Sequence, residues 1–526
     1  MDKEQKETTA PLDIKFQQRF SKNLVSNIIY LILNIIVGLA LVPFFLDSLG
    51  DAAYALVPLA TSVTSYVTLI VQCLNMSVSR YLTLDLQRGD VEKANVTFNT
   101  AMFGTLVVVL LLLPISIGIA LVVPFIFSTG GVEFSAVFAL FVLVFLSALI
   151  RTWTSNFQVT VFAYNRLDLW NWVNSSYLLV QVAVVVVLFL VFGPSLPFIG
   201  VSYLVAAIIA GCLAVYFSKS TCPQLKMNVS LFNRQLFSNM GNTAGWLVFQ
   251  ELGTLLKLPV CLILVNILFG AIAETEFSLA QTFITLLISI SGIVTAMFRP
   301  QVYSYVAKRD NKGAEVFISK TMKLIGLMMA LPISLLCVFA PEVYSLWIGP
   351  EYIHLTPLVW LLVLIPVTLD CMGGCIGPLN VACNKVKVTA VANFIAAMIN
   401  IALALSLPYA LNIGMYGVAL AWVISMILYC IFAFMYNAYI INSPLTVFLR
   451  ASVVGVVSTV SLFICGLVLR EVFSVDSIIS AILLGVIIAI AYYFLVSKVI
   501  LQKEEKIEIR KLLPSFIEKK IPNWLF

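Results

Sequence analysis

The sequence predicts an all-α integral membrane fold. It has fourteen transmembrane helices, arranged as two six-helix lobes that are parallel pseudo-repeats, plus two extra C-terminal helices. Three observations carry this prediction. Of 526 residues, 61% are hydrophobic and 11% are charged, against roughly 25% charged in a soluble domain. Apolar runs near the ~20 residues that cross a hydrocarbon core recur along the chain. Lysine and arginine collect on alternate connections between those runs.

Backbone polar groups cannot be left bare in lipid, so each run is read as a helix. The predicted spans are 24–46, 53–73, 99–123, 134–152, 170–193, 197–217, 242–268, 276–297, 321–340, 355–380, 388–409, 416–440, 449–470 and 477–500. A polar head, 1–23, precedes them. The first span is too long for a signal h-region and lacks a small-residue cleavage site, so no signal peptide is expected. Spans one to six form an N-lobe at 24–217. A linker at 218–241 leads to a C-lobe at 242–440, and 449–500 holds the last two spans. In the tail, 501–526, Ile509, Leu512, Phe516 and Ile517 lie among Lys and Arg. That pattern fits an interfacial helix on the inner leaflet, touching anionic lipid.

Charge tests the count independently. With the N-terminus in the cytoplasm, all 31 Lys and Arg residues except Lys257 and Arg470 fall on cytoplasmic segments and span ends. One missed span would invert every later loop and destroy this bias. The outer loops carry acids instead: Asp47, Asp51, Glu133, Glu274, Glu342 and Glu351. Both termini are therefore expected inside a cell membrane, plasma or inner. The sequons at Asn95 and Asn228 fall on the cytoplasmic side and should not be glycosylated.

The chain also echoes itself. VPFIFS at 123–128 resembles APEVYS at 340–345, and FIGVSYL at 198–204 resembles the stretch from 415, at the same spacing. A six-span repeat keeps its orientation, which gives parallel halves about an axis along the membrane normal. Chance similarity between apolar loops is the plainer reading.

Few polar groups sit inside the spans. Lys257 is the one cation placed deep in an apolar run, where a charge costs at least ~2.5–3.5 kcal/mol unless it meets a partner, water or an anion. At helical spacing it shares a stripe with Thr243, Gln250 and Thr254. The plainer reading is a lysine that snorkels from an off-centre helix. Span one offers Asn27, Tyr30 and Asn34, span five Asn174, Tyr177 and Gln181, and span eleven Asn393 and Asn400. These are either a shared polar surface or interhelical hydrogen-bonding glue. Arg151 sits near the inner end of span four, lining a vestibule or anchoring the helix. Glu251 lies off the Lys257 stripe. Asp370, in a Pro/Gly-rich segment that should bend, is either an ion-coupling acid or a structural one. Cys371 and Cys375 lack a second pair at metal spacing and read as packing residues.

Several stretches carry a family resemblance. LVPFFLDSLGDAAYALVPLA (41–60), SVSRYLTLDLQRGD (77–90), FAPEVYSLWIGPEY (339–352) and ANFIAAMINIALALSLPYALNIGMYGVALAWVIS (392–425) resemble signatures of the polysaccharide transporter family. That family lies within the multidrug/oligosaccharidyl-lipid/polysaccharide exporter superfamily, and O-antigen-type flippases are the most similar members. The resemblance covers most of the chain, with Asn400, Gly414 and Gly417 at the positions it leads one to expect. It implies a non-enzymatic flippase with a central cavity. Such a protein moves a polyprenyl-diphosphate-linked oligosaccharide from inner to outer leaflet by alternating access, for cell-surface polysaccharide biosynthesis. It also implies membrane lipid, a coupling ion (H⁺ or Na⁺) and glycan-assembly proteins as partners, with no cofactor, metal or nucleic acid. One departure stands out. Many relatives carry an acid in span seven shortly before the outer loop, where this chain reads CLILVNILFG and has Lys257 further upstream.

On this reading Lys257, Arg151, Asn27, Asn34, Gln250, Asn174, Gln181 and Asn400 are the substrate-binding residues, and Asp370 is the coupling or structural acid. Two rivals remain. A cation-coupled multidrug exporter favours an acidic cavity. A membrane glycosyltransferase or polymerase wants paired carboxylates or a metal site in a sizeable loop, whereas the loops here are short and His354 is the sole histidine.

Overall fold

The computed structural model describes residues 10–500 apart from 88, 165, 384 and 474–476. The expected tail helix at 501–526 lies outside the described residues. In order, the helices are α1 (Ala10–Leu49), α2 (Asp51–Gln87), α3 (Val91–Ile126), α4 (Phe134–Ala163), α5 (Leu167–Phe192), α6 (Leu196–Thr221), α7 (Arg234–Leu255), α8 (Leu258–Phe269), α9 (Ala271–Ala307) and α10 (Asn311–Val338). They continue with α11 (Ala340–Trp347), α12 (Thr356–Gly373), α13 (Gly377–Ala382), α14 (Val386–Ala410), α15 (Met415–Ile440), α16 (Val447–Val472) and α17 (Ile478–Leu495). Among the described residues, 13 helices are long and apolar enough to cross a membrane. The bent pair α7 and α8 raises the number to 14 if it counts as one span. The architecture is all-α, as the apolar runs predicted.

Helix starts follow local chemistry. Asp90 accepts from the Lys93 amide at 3.0 Å ahead of α3, and Asp310 from the Gly313 amide at 2.8 Å ahead of α10. Asn233 accepts from the Leu236 amide at 3.0 Å ahead of α7. Each satisfies a donor that the first turn would otherwise leave bare. The capping residues precede the apolar runs by several residues, so the helices extend beyond the predicted spans.

The chain divides into two compact units. The first holds residues 1–278 together with 393–401 of α14. Its core lies between α3, α4, α5 and α6, around Phe98, Phe157, Val173 and Tyr177. Small residues on α6 let α4 come close. A Cβ placed on Gly200 would lie 2.8 Å from Leu143 Cβ, and one on Gly211 would lie 2.9 Å from Thr154 Cγ2. Close backbone approach of this kind is how helices pack where lipid supplies no hydrophobic drive. The stretch after α6 is stitched to α3. Asn95 donates to the Gln224 carbonyl at 3.1 Å and accepts from the Lys226 amide at 2.8 Å. Asn99 likewise donates to the Lys226 carbonyl and accepts from the Asn228 amide, at 2.8 and 2.7 Å. The Asn95 sequon side chain is therefore committed to the fold.

The second unit holds 279–392 and 402–526. Here α10 and α16 meet at glycine, since a Cβ on Gly326 would lie 2.8 Å from the Gly455 Cα. A smaller core joins Val338 and Phe339 to Ala481, Leu484 and Ile488 of α17. Arg470, the exception to the charge bias, reaches Glu342 of α11 at 2.7 Å. Asp370 lies near the end of α12, partly exposed, and its carbonyl accepts from the Gly374 amide at 3.1 Å. The helix stops at Gly373 and resumes at Gly377, the interruption that the Pro/Gly content predicted.

Candidate functional site

The first unit contains a cavity of about 780 Å³ between α1, α2, α4, α5 and α6. Two helices present polar stripes to it. From α2 come Thr61, Thr64, Ser65, Thr68, Gln72, Asn75 and Ser79; apart from the adjacent Thr64 and Ser65, the steps are of three or four residues, which keeps them on one helical face. From α4 come Ser147, Arg151, Ser155 and Gln158, by the same rule. Most hydroxyls on these stripes bond back to their own helix, as Thr64 does to the Ala60 carbonyl at 2.6 Å and Ser155 to the Thr152 carbonyl at 2.7 Å. Asn75 ties the two helices together, donating to the Thr152 carbonyl at 2.9 Å and to Ser155 Oγ at 2.5 Å. Its own Oδ1 is buried without a hydrogen-bond partner among the described residues.

Among the described residues that line the cavity, Arg151 is the one cation and none is a carboxylate. Its Nη2 donates to Asn174 Oδ1 at 2.9 Å. Its guanidinium carbon sits 4.2 Å from the centre of the Tyr177 ring. Asn174 is in turn held by its own helix, donating to the Trp170 carbonyl at 2.9 Å. A planar guanidinium stacked on one face and bonded at one edge keeps its remaining donors pre-aimed for a carboxylate or phosphate.

The helix that carries Arg151 runs beyond the expected span, to Ala163, so Arg151 lies about three turns from the helix end. The signal was present in the Ser147, Arg151, Ser155 and Gln158 spacing. The α2 stripe was also missed, because threonine and serine read as neutral in an apolar run until their faces are compared.

The other predicted residues separate into three places. Asn27 lines the cavity and accepts from Asn171 Nδ2 at 2.6 Å. That bond, with Asn171 to Ser26 Oγ at 2.8 Å and the Asp168 amide to Asn23 Oδ1 at 3.2 Å, clasps α1 to α5. Gln181 is buried against the Tyr203 hydroxyl, one shell behind the cavity wall. Asn34 is exposed on α1 and is not among the lining residues.

Gln250, Lys257 and Asn400 belong to a different feature. The expected continuous helix at 242–268 is broken, with α7 and α8 meeting at 42°. Lys257 is the residue before α8, at φ −102° and ψ −100°, and so does not continue the stripe of Gln250 and Thr254. Pro259 is the cause, since it has no N–H for the Leu255 carbonyl and in an unbroken helix its ring would clash with that carbonyl. Side chains satisfy the freed groups. Tyr66 of α2 donates to the Leu255 carbonyl at 2.6 Å. Asn400 donates to the carbonyls of Leu256 at 3.3 Å and Lys257 at 3.1 Å. Asn393 donates to the Gln250 carbonyl and to Thr254 Oγ1, both at 3.1 Å. Asn400 is completely buried there, so its amide is spent on the break. The Lys257 side chain is buried too, and it interacts electrostatically with Glu251 from the far side of the break. The side chain of Thr243 lies outside the described residues.

Glu274 is also corrected. Read as an outer-loop acid, it is completely buried in the first turn of α9 and accepts from Asn266 Nδ2 at 2.9 Å. The same Asn266 accepts from the Ser128 amide at 2.8 Å. Gly270, at φ +90°, makes the tight turn between them.

No protein-family model matches the chain. A curated relative, the uncharacterized membrane protein EpsK of Bacillus subtilis (strain 168), is 27% identical over 497 residues, covering 93% of this chain and 97% of that protein. Among solved structures, an inward-facing multidrug resistance MATE family transporter of the MOP superfamily superposes with a TM-score of 0.65 at 12% identity. It covers 78% of this chain and 94% of that one. The lipid II flippase MurJ, in an inward closed conformation, superposes with a TM-score of 0.64 at 14% identity, covering 91% of this chain and 100% of that one. The chain is a multi-pass membrane protein with the fold shared by these MATE and MurJ structures.

Proposed function

We propose that the protein is a flippase that moves a polyprenyl-diphosphate-linked oligosaccharide from the inner to the outer leaflet of the cell membrane by alternating access, for cell-surface polysaccharide assembly. The observation that carries this reading is the cavity between α2, α4 and α5, with hydroxyl and amide walls and Arg151 as its cation. Its volume of about 780 Å³ falls in the range of roughly 300–1,000 Å³ typical of ligand sites. Hydroxyls and amides of Thr61, Thr68, Gln72 and Asn75 match sugar hydroxyls as both donors and acceptors. Arg151 supplies a forked counter-charge for diphosphate, and the prenyl chain stays in lipid. Lys257, at the break between α7 and α8, supplies a second cation as the path changes. The described lining residues include no carboxylate, which suits a cationic drug poorly, since a buried cation needs an anionic partner. Both termini are cytoplasmic on this reading, glycan-assembly proteins deliver and remove the substrate, and a coupling ion supplies the drive.

Reconstitution tests it. Proteoliposomes are loaded symmetrically with a polyprenyl-diphosphate oligosaccharide, and the fraction reached by an external glycosidase is followed in time. Complete digestion with the protein, and about half without it, is the expected result. Unchanged digestion together with uptake of a cationic dye would instead identify a drug exporter.

A further inference from the structure

Among the described residues, the aromatic side chains that line the cavity of the first unit are Phe162 of α4, Trp170 and Tyr177 of α5, and Tyr203 of α6. Two of them already have a task. Tyr177 is buried and carries the Arg151 guanidinium over its ring. Tyr203 turns its hydroxyl to Gln181, behind the cavity wall. Phe162 is exposed, but it lies about three turns, roughly 16 Å, along α4 from Arg151.

Trp170 differs from all three. It is partly exposed, and among the described residues its one ring neighbour is Tyr30 of α1. The two rings meet edge to face, with centroids 6.2 Å apart and planes at 76°. Such a contact uses the edge of one ring, so at least one face of the indole has no ring against it. Trp170 stands one turn before Asn174 on α5 and on the same face, with Tyr177 a further turn on. Asn174 is the residue that accepts from Arg151 Nη2, at 2.9 Å. The indole is therefore offset from the anchor of the guanidinium by roughly 6 Å along the helix axis.

A hydrogen-bond donor sits beside the indole. Asn27 lines the cavity, one turn before Tyr30 on α1. Its Oδ1 accepts at 2.6 Å from Asn171, the neighbour of Trp170 in sequence. Its Nδ2 makes no hydrogen bond among the described residues, which leaves two N–H groups to offer.

A flat apolar face with amide donors beside it, one turn from a forked cation, matches a sugar joined directly to a phosphate. A pyranose with equatorial hydroxyls presents a flat C–H face that packs on an indole, and its hydroxyls accept from an amide. With no spacer between ring and phosphate, such a group spans about one helical turn. Arg151 and Trp170 reach its two ends together, whereas Phe162 is too far away.

We propose that Trp170 is the stacking platform for the first sugar of the substrate, the pyranose bonded directly to the diphosphate. Asn27 donates to its hydroxyls while Arg151 holds the phosphate. This rests on the flippase reading above and adds to it the place where the headgroup is recognised as a sugar.

Binding of two soluble probes to the purified full-length protein in detergent tests this. Both are farnesyl diphosphates, one with a methyl group and the other with a single glucose on the terminal phosphate, so that their charge is the same. Wild type should bind the glucosyl probe about tenfold more tightly. W170A should bind the two equally, at the affinity of the methyl probe, and W170F should keep most of the preference because it keeps an aromatic face. R151A should weaken both by the same factor, since both carry the diphosphate. An undiminished preference in W170A, or an equal loss of both probes, would overturn the platform and leave the flippase reading standing. Binding of neither probe by wild type would overturn that reading, and the platform with it.

Discussion

Arg151 on α4 donates to Asn174 on α5 at 2.9 Å, which fixes one edge of the guanidinium and leaves the rest of it facing the polar cavity. Tyr177, one turn beyond Asn174, supplies the flat surface under it, 4.2 Å away. The three side chains form one device, with the charge on one helix and both of its supports on the next.

Replacing Arg151 should therefore separate charge from geometry. Arg151→Ala should abolish transport while leaving protein in the membrane at a near-normal level. Arg151→Lys keeps the charge but loses the fork and the stacking, and should lose about tenfold in initial rate. Asn174→Ala should fall between the two, because the guanidinium stays but is no longer aimed. Initial rates in proteoliposomes, normalised to incorporated protein, check the order. Equal rates for the three variants and wild type would remove Arg151 from the path.

The break between α7 and α8 should depend on its side-chain donors. Asn400→Ala removes the donor from the buried carbonyls of Leu256 and Lys257. A buried unsatisfied group costs ~1–3 kcal/mol, so thermal unfolding in detergent should shift downward. Pro259→Ala restores an N–H to the Leu255 carbonyl and should straighten the helix. If so, Asn400→Ala should cost less in the Pro259→Ala background than alone, and additive losses would show that the asparagine does not serve the break.

The polar face of α2 should be wet. In a background with the ten native cysteines replaced, Thr61→Cys and Gln72→Cys should react with a membrane-impermeant maleimide in at least one state of the transport cycle. Ile70→Cys is exposed on a different face and should be protected by lipid. Comparable labelling at 70 and 72 would mean that the stripe does not border water.

The contact of α10 with α16 leaves no room for a side chain. Gly455→Val would press on the Gly326 Cα and the Met372 sulfur, and overpacking of this kind typically costs ~1–3 kcal/mol. The yield of monodisperse protein should fall. Gly485→Ala on α17 is the control, because its Cβ would meet Phe339 Cε2 at an ordinary 3.5 Å.

Sequence spacing located some of the site and missed the rest for identifiable reasons. Arg151, Asn27 and Asn174 stood out as polar groups in apolar runs, and the structure lines one cavity with them. The threonines and serines of α2 did not stand out, because hydroxyls that bond back to their own helix leave the mean hydropathy of a run almost unchanged. Lys257 drew attention as a charge, whereas Pro259, two residues on, decided the local structure. A helix-wheel argument fails at a proline because the wheel assumes an unbroken hydrogen-bond ladder.

By itself the sequence determined the all-α class of structure and the stretches of chain that are long and apolar enough to cross a membrane. Those follow from the transfer cost of polar groups into hydrocarbon, which every residue bears wherever its neighbours lie. Only the tertiary structure decided which polar side chains meet. Asn400 and Asn174 are alike as buried asparagines on membrane helices, yet one seals the break beside Lys257 and the other steers Arg151. The difference lies in the helix packed opposite each of them. A hydrogen bond requires a partner within about 3 Å, and that partner is set by packing between segments far apart along the chain.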